Sequence, residues 1–353
     1  MDKVELLKKL IACKAVTENI AAVNNAVDVM HEFLSSNDIY CVEEKSADGR
    51  KILFAATEET KAPDVLLNAH LDVVPATEEQ FVPRIEGDIM YARGTGDCQG
   101  CATVLADLLL RLKGKASVGA IFSSDEEQGG ITTAYMVRHG YTAKKSILIV
   151  DGSPYTVAIA QKGIIDCLLR ANSKGGHSST PWLFKNPIDM LIDGYIKLRE
   201  VWPQTSEEDQ WNDTMAPCIL NAGFAHNQIP DTAEMLINIR YINQADCETI
   251  IEKIQEITGL EVIVQSISEP FFSEENNEII KKLKAAMQEK FPEKEITFSR
   301  MNGATDARCF AKLTAPIAIL GVDGDGIHTA NEWVKLSSLD EHADLLEQFI
   351  LSL

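Results

Sequence analysis

The chain has 353 residues, 45% of them apolar, with only 12 prolines and 21 glycines, which is more than one ordinary core holds, so two domains are expected, one inserted in the other. Its 53 acidic against 33 basic residues leave a net charge of −20, which repels phosphate backbones and anionic lipid and excludes nucleic acid and membrane surfaces as expected partners. No apolar run approaches the ~20 residues of a membrane span, and the opening MDKVELLKKLIAC shows neither the apolar core nor the cleavage site of an export signal, so a cytoplasmic location with eight reduced cysteines is expected.

In chain order, amphipathic helices are predicted over 3–13 and 19–36, the second with Ile20, Val23, Val27, Met30, Phe33 and Leu34 on one face. Strands follow at 39–43, 51–56 and 64–69, the last apolar enough to be buried on both faces. Next come the Gly-rich stretch MYARGTGDCQG, a helix over 99–112, the strand SVGAIFSS, the acidic turn Asp125-Glu126-Glu127, a further helix, and the strand SILIV ending at Asp151. This alternation predicts an open mixed α/β sheet, in which sites form beyond the carboxyl ends of the strands. After Lys162-Gly163 the order changes to strand 164–171, helix 186–201, strands 217–222 and 232–242, helix 246–258 and strand 261–267, which is the β-α-β-β-α-β order of an α+β ferredoxin-like domain. From Glu275 the α/β pattern resumes with a helix to about 290, strand 295–299, helix 304–312, strand 316–320 and a closing helix 338–352. The expected division is therefore 1–162 with 272–353 as one discontinuous domain, and 163–271 as the insertion.

The chemistry starts at LLNAHLDVVP, where an apolar strand ends in His70 and Asp72. The His-x-Asp spacing lets the Asp carboxylate reach the far imidazole nitrogen and fix which nitrogen faces a metal. Further oxygen and nitrogen donors sit at strand ends or in Gly-rich turns: Asp97, Glu126, Glu127, Asp151 and His328. Two divalent ions some 3.5–4 Å apart polarise a carbonyl and activate water, as amide hydrolysis requires. Asp97, after Arg93-Gly94-Thr95-Gly96, is the natural bridge; Glu127 and Asp151 serve one ion each, with His70 and His328 as imidazole ligands. Glu126 is left to take a proton from water. The ligand set suits zinc and admits cobalt or manganese.

Eight ordered stretches, NAHLDVVP, YARGTGDCQG, SSDEEQGG, VDGSP, KGGHSSTP, NQIPDTAEMLINIRY, NGATDARCF and GIHTANEWV, resemble the co-catalytic zinc peptidases and deacylases, which include acetylornithine deacetylase, succinyl-diaminopimelate desuccinylase, aminoacylase, the glutamate carboxypeptidases and bacterial di- and tripeptidases. The resemblance implies a catalytic domain with an inserted lid that forms a homodimer. It also implies His70 and Asp151 on one zinc, Glu127 and His328 on the other, Asp97 bridging, Glu126 as general base and Asp72 as the partner of His70. His177 would reach the partner subunit's active site and stabilise the oxyanion; Arg240 and Asn227 would hold a substrate carboxylate or backbone, Gly303 would contact substrate, and the Asp97-Cys98 peptide would be cis. Three positions depart from the family pattern: Gln99 stands where Lys is common, Ala69 where Gly is common, and Asp151 is the form typical of di- and tripeptidases rather than of the relatives that remove acyl groups or C-terminal residues, which tend to carry Glu.

The expected activity is cleavage of small peptides, with N-acyl amino acid deacylation as the alternative. A non-catalytic metal- or amino-acid-binding dimer is disfavoured by the complete set of five ligands and a base. A dinucleotide loop at Gly94-x-Gly96-x-x-x-Gly100 has the wrong spacing, and Asp97 would repel a pyrophosphate. Cys98-x-x-Cys101 reads as a pair of buried small residues, with a redox pair as the rival. Asp323-x-Asp325-Gly326 reads as a flexible loop carrying His328, and His31, His139, His226 and His342 are given no chemistry.

Overall fold

Strands that are apolar throughout have no solvent face, and their place is the middle of a covered sheet. The computed structural model describes residues 2–202 and 204–353, which divide into one unit of 1–160, 272–300 and 305–353 and a second of 161–271 and 301–304.

In the first unit Val65–His70 is buried at every position and runs parallel to Val118–Ser123 on one side and to Ser146–Val150 on the other. Ile317–Leu320 continues the parallel core beside Ser146–Val150. Lys51–Ala56 and then Tyr40–Lys45 extend the sheet antiparallel at one side, and Thr156–Gln161 joins antiparallel beyond Ile317–Leu320, giving a large mixed sheet. Helix Gln99–Leu112 packs on Val65–His70 and against Lys3–Ala12 and Leu336–Leu351. Its Leu105, Leu108 and Leu109 are fully buried in the main core, each contributing roughly 1.5–3 kcal/mol of apolar burial. On the other face Tyr141 lies 4.7 Å from Phe54, ring to ring.

Because the four central strands are parallel, their carboxyl ends share one edge. His70 ends the first of them, the turn containing Glu126 and Glu127 follows Ser123, and Asp151 follows Val150. His328 arrives differently from the expected flexible loop. Gly324–Asp325 pairs antiparallel with Trp333–Lys335, which pairs with Ile89–Tyr91 and through it with Arg84–Glu86. His328 is thus the tip of a hairpin in a small four-stranded sheet that alternation alone did not reveal, its strands being two or three residues long.

The expected helix over 304–312 is confined to Ala307–Phe310. Thr305 and Asp306 are occupied by side-chain bonds instead: the Thr305 hydroxyl accepts from Ala307 N, and Asp306 Oδ2 accepts from the Ser123 and Thr133 hydroxyls at 2.6 Å each.

The second unit is a four-stranded antiparallel sheet in the order Thr214–Ala222, Thr232–Tyr241, Gly163–Asn172, Glu261–Ser268. The two inner strands alternate buried with partly exposed residues, and the buried set packs with Leu191 and Leu198 of helix Pro187–Val201 and Ile250 and Ile254 of helix Cys247–Thr258. Residues 301–304, expected in the first domain, group with this unit because Lys162 N donates to Met301 O at 3.1 Å and the Asn302 amide donates to the Gln210 carboxamide.

His342 is fully buried on the closing helix, with Nδ1 2.8 Å from the Ser338 carbonyl and Nε2 3.3 Å from that of Pro154. Burial disfavours the imidazolium more than these carbonyls favour it, so its pKa lies below the usual histidine value. The unfolded chain therefore binds the extra proton first, and the stability associated with neutral His342 is lost as pH falls below about 6.5. Urea midpoints compared between about pH 7.5 and 5.5 should drop less for His342→Gln than for the wild type.

Candidate metal centre

Each side chain reaches the centre by a local device. Asp97 follows a turn in which Gly94 has φ +86, and a Cβ at Gly100 would sit 2.1 Å from the Thr95 carbonyl, so the loop closes on the helix only because these positions are glycine. The Asp97-Cys98 peptide is cis. Gln99, in place of the usual Lys, is buried and donates from Nε2 to the Leu71 carbonyl at 2.8 Å, tying the Asp97 loop to the end of the central strand without adding charge. His328 has φ +61, a left-handed conformation, in the loop that joins Gly324–Asp325 to Trp333–Lys335.

The two oxygens of Asp97 face different imidazoles: Oδ1 lies 2.9 Å from His70 Nε2 and Oδ2 lies 3.1 Å from His328 Nε2. Glu127 stands 3.2 Å from His328 Nε2 on the outer side, and Asp151 stands 4.0 Å from His70 Nε2 on the inner. Donor atoms of His70, Asp97 and Glu127 all lie within 4.8 Å of one another, as do those of His70, Cys98 and Asp151. Cys98 and Cys101 are both buried, and the Cys98 thiol donates to the Val150 carbonyl at 3.1 Å.

Asp72 differs in detail from the His-x-Asp expectation. The nearer acceptor for His70 Nδ1 is the Asp72 backbone carbonyl at 2.9 Å, with the carboxylate at 3.4 Å. The carboxylate has other donors to serve: the Thr17 hydroxyl at 2.8 Å and the backbone N–H groups of Glu126 at 3.1 Å and Glu127 at 3.3 Å. One buried Asp thus orients both an imidazole and the acidic turn.

The charges are crowded. Burial raises the carboxyls of Asp151, Glu127 and Glu126, the last to about 8, against the opposing pull of His70. Burial also opposes charge on Asp97 and Asp72, but the imidazoles and the other hydrogen-bond donors outweigh it and hold both below the usual carboxylate range. The Asp97 carboxylate lifts His328 to about 9, and His70 is raised by Asp72 and Asp97 in spite of its burial. Five carboxyls crowd around two imidazoles, three of them pushed up toward the neutral form, and cations are what such a donor set fits.

Reasoning from the sequence missed the supports behind the donors. Arg93 and Glu332 form a buried pair at 2.6 Å, and Glu332 Oε1 accepts from the backbone N–H groups of Gly96 at 2.9 Å and Asp97 at 3.0 Å. Arg308 donates to Glu126. Arg93 and Glu332 lay inside quoted motifs, but 239 residues separate them, and no local pattern pairs them.

His177, Asn227, Arg240 and Gly303 belong to the second unit. There Gly176–His177 pairs with Gln228–Ile229, the Asn227 carbonyl accepts from Ser178 N at 3.1 Å, and His177 Nδ1 accepts from Ser179 N at 3.1 Å. Arg240 Nε donates to Asn238 Oδ1 at 3.0 Å on an inner strand, and Gly303 lies in an exposed bend. The first pair is brought together; the other two lie on separate elements.

A donor set of this kind fits a metal-dependent hydrolase. Residues 66–352 match the family described as Peptidase family M20/M25/M40. The chain belongs to that family and is a metallohydrolase acting on amide bonds. It is 24% identical to a probable succinyl-diaminopimelate desuccinylase of Staphylococcus aureus (strain MRSA252), covering 98% of this chain and 96% of that one. It shares its fold with an M20 family metallo-carboxypeptidase from Sulfolobus solfataricus (TM-score 0.82, 16% identity, 99% of both chains) and with a tripeptidase from Staphylococcus aureus (TM-score 0.78, 17% identity, 100% and 98%).

Glu332→Ala leaves the Arg93 guanidinium buried without its counter-charge, a change that costs about 3–5 kcal/mol. Urea unfolding should show that loss, and it should be larger than for Glu332→Gln, which keeps an acceptor for Gly96 and Asp97.

Proposed function

We propose that this chain is a two-metal hydrolase of small peptides, with His70 and Asp151 holding one divalent ion, Glu127 and His328 the other, and Asp97 shared between them. The single observation that carries this reading is the division of Asp97, one oxygen toward each imidazole. When bound, the ion pair supplies polarisation of the scissile carbonyl and acidification of water. Zinc is the ion best matched to two imidazoles with carboxylates, and cobalt or manganese would also be accepted. Glu126 takes the water proton and passes it to the departing amide nitrogen; its enclosure and its pairing with the Arg308 guanidinium rather than with an imidazole suit a base rather than a ligand. Asp72 keeps His70 and the acidic turn in register.

His177, Asn227, Arg240 and Gly303 carry substrate recognition in this reading, with His177 acting in the partner subunit of a homodimer. Supporting the dimer, Thr214–Ala222 is an edge strand of the second unit with Ile219 and Leu220 exposed, a form suited to pairing with a second copy. The free cysteines fit a reducing cytoplasm, and among the described residues no helix is long and apolar enough to cross a membrane.

The short Asp151 favours a peptidase acting on a free amino terminus. Deacylation of N-acyl amino acids is the second reading, favoured by the activity named for the desuccinylase relative. Free-amine di- and tripeptides, set beside N-acetyl and N-succinyl amino acids and assayed with zinc-loaded protein, decide between them. The expected result is turnover of the free peptides alone; turnover confined to acylated substrates would establish the deacylase and discard the Asp151 argument. Chelation should abolish turnover and zinc restore it. Glu126→Ala should lose about 10²–10⁴-fold in kcat with both ions retained, measured by turnover alongside metal analysis.

A further inference from the structure

Glu126 and Glu127 are consecutive residues of one short turn, yet the proposed chemistry, on which this inference rests, needs one as ligand and the other as base. Nothing in two identical side chains assigns those tasks; the surroundings must. Glu127 faces His328. Glu126 faces Arg308, whose Nη2 donates both to the carboxylate Oε1 at 3.0 Å and to the backbone carbonyl of the same residue at 2.9 Å. A guanidinium nitrogen held by both ends of one Glu fixes how that side chain leaves the backbone. The pair is enclosed, with side chains 8% and 10% exposed, so no water competes freely for either partner.

Arg308 is itself braced. Asp306, two residues earlier, accepts from the hydroxyls of Ser123 and Thr133, which flank the acidic turn, and the Cys309 thiol donates to the Gly130 carbonyl at 3.3 Å. The segment 305–310 is therefore fastened to the turn on one side, while Asp72 collects the Glu126 and Glu127 N–H groups on the other. Both ends of the Glu126 peptide unit are held by charged side chains far away in sequence.

We propose that Arg308 is a positioning residue for the general base: it holds the Glu126 carboxylate away from the ions and toward the reacting water, and so assigns the two glutamates their separate roles. Arg308 touches neither substrate nor metal in this account and acts only through Glu126. Both contacts come from the single nitrogen Nη2, so Arg308→Lys keeps the charge and a donor but not the planar guanidinium that fixes the direction of its N–H groups.

The test uses full-length, metal-loaded protein and the best substrate of the screen above. Arg308→Ala should lower kcat by about 100-fold, the scale of a small misplacement of a catalytic group, with KM and the number of bound ions unchanged, and added guanidinium should recover part of the loss. Arg308→Lys should be intermediate. In a Glu126→Ala background, Arg308→Ala should cause no further loss. Unchanged kcat in Arg308→Ala, or an undiminished loss in the Glu126→Ala background, would overturn the proposal. If Glu126→Ala itself keeps full turnover, the base assignment fails and the proposal falls with it; if Glu126→Ala is inactive and Arg308→Ala is not, only the proposal falls. A crystal structure of metal-loaded Arg308→Gln serves as a readout free of turnover and of the folding risk of the alanine variant. The Glu126 carboxylate should leave its place while Glu127 and His328 stay, and an unmoved Glu126 would refute the role.

Discussion

The structure depends on gathering negative charge in a place where water cannot disperse it. Asp72, Asp97, Glu127 and Asp151, with Glu126 close by, surround two imidazoles at one edge of a covered sheet. Enclosed carboxylates repel one another strongly in a low-dielectric setting, and folding alone does not neutralise them. The fold tolerates the arrangement because most of these carboxylates are given partners: Asp97 has two imidazoles, Glu127 has one, Asp72 has a hydroxyl and two amides, and Glu126 has a guanidinium. In the proposed function divalent cations would complete the balance, which makes metal binding part of the electrostatic logic of the fold as well as of the chemistry.

The scaffold meets this demand by separating the tasks of its layers. Parallel strands deliver His70, the acidic turn and Asp151 to one edge with little freedom, because each emerges from a strand buried on both faces. The small sheet of Arg84–Glu86, Ile89–Tyr91, Gly324–Asp325 and Trp333–Lys335 brings the remaining donor from the far end of the chain. Between them the buried Arg93 and Glu332 pair fastens the loop that presents Asp97. Ligands on rigid elements with charged supports behind them are what a two-ion site needs to hold its geometry.

Much of this was legible in the residues. The strand and helix alternation, the apolar strand before His70, and the positions of Asp97, Glu126, Glu127 and Asp151 at element ends all follow local rules of period and turn chemistry. The structure brings those donors and His328 together. Local rules ran out where contacts are long-range. Strands of two or three residues have too little period to register, so the hairpin under His328 was read as a loop. The Arg308 contact with Glu126 joins residues 182 apart, and Thr17 reaches Asp72 across 55; neither has a signature along the chain.

By itself the sequence determined the kinds of donor present, their placement at strand ends, and hence the metal-dependent hydrolytic chemistry, because backbone period and side-chain type are local properties. Only the tertiary structure decided which donors face each other, that Asp97 divides its oxygens between His70 and His328, and that Glu126 and Glu127 part company. Those outcomes depend on distances between segments remote in the chain, which are set by how the sheet packs and by where buried charges find their partners.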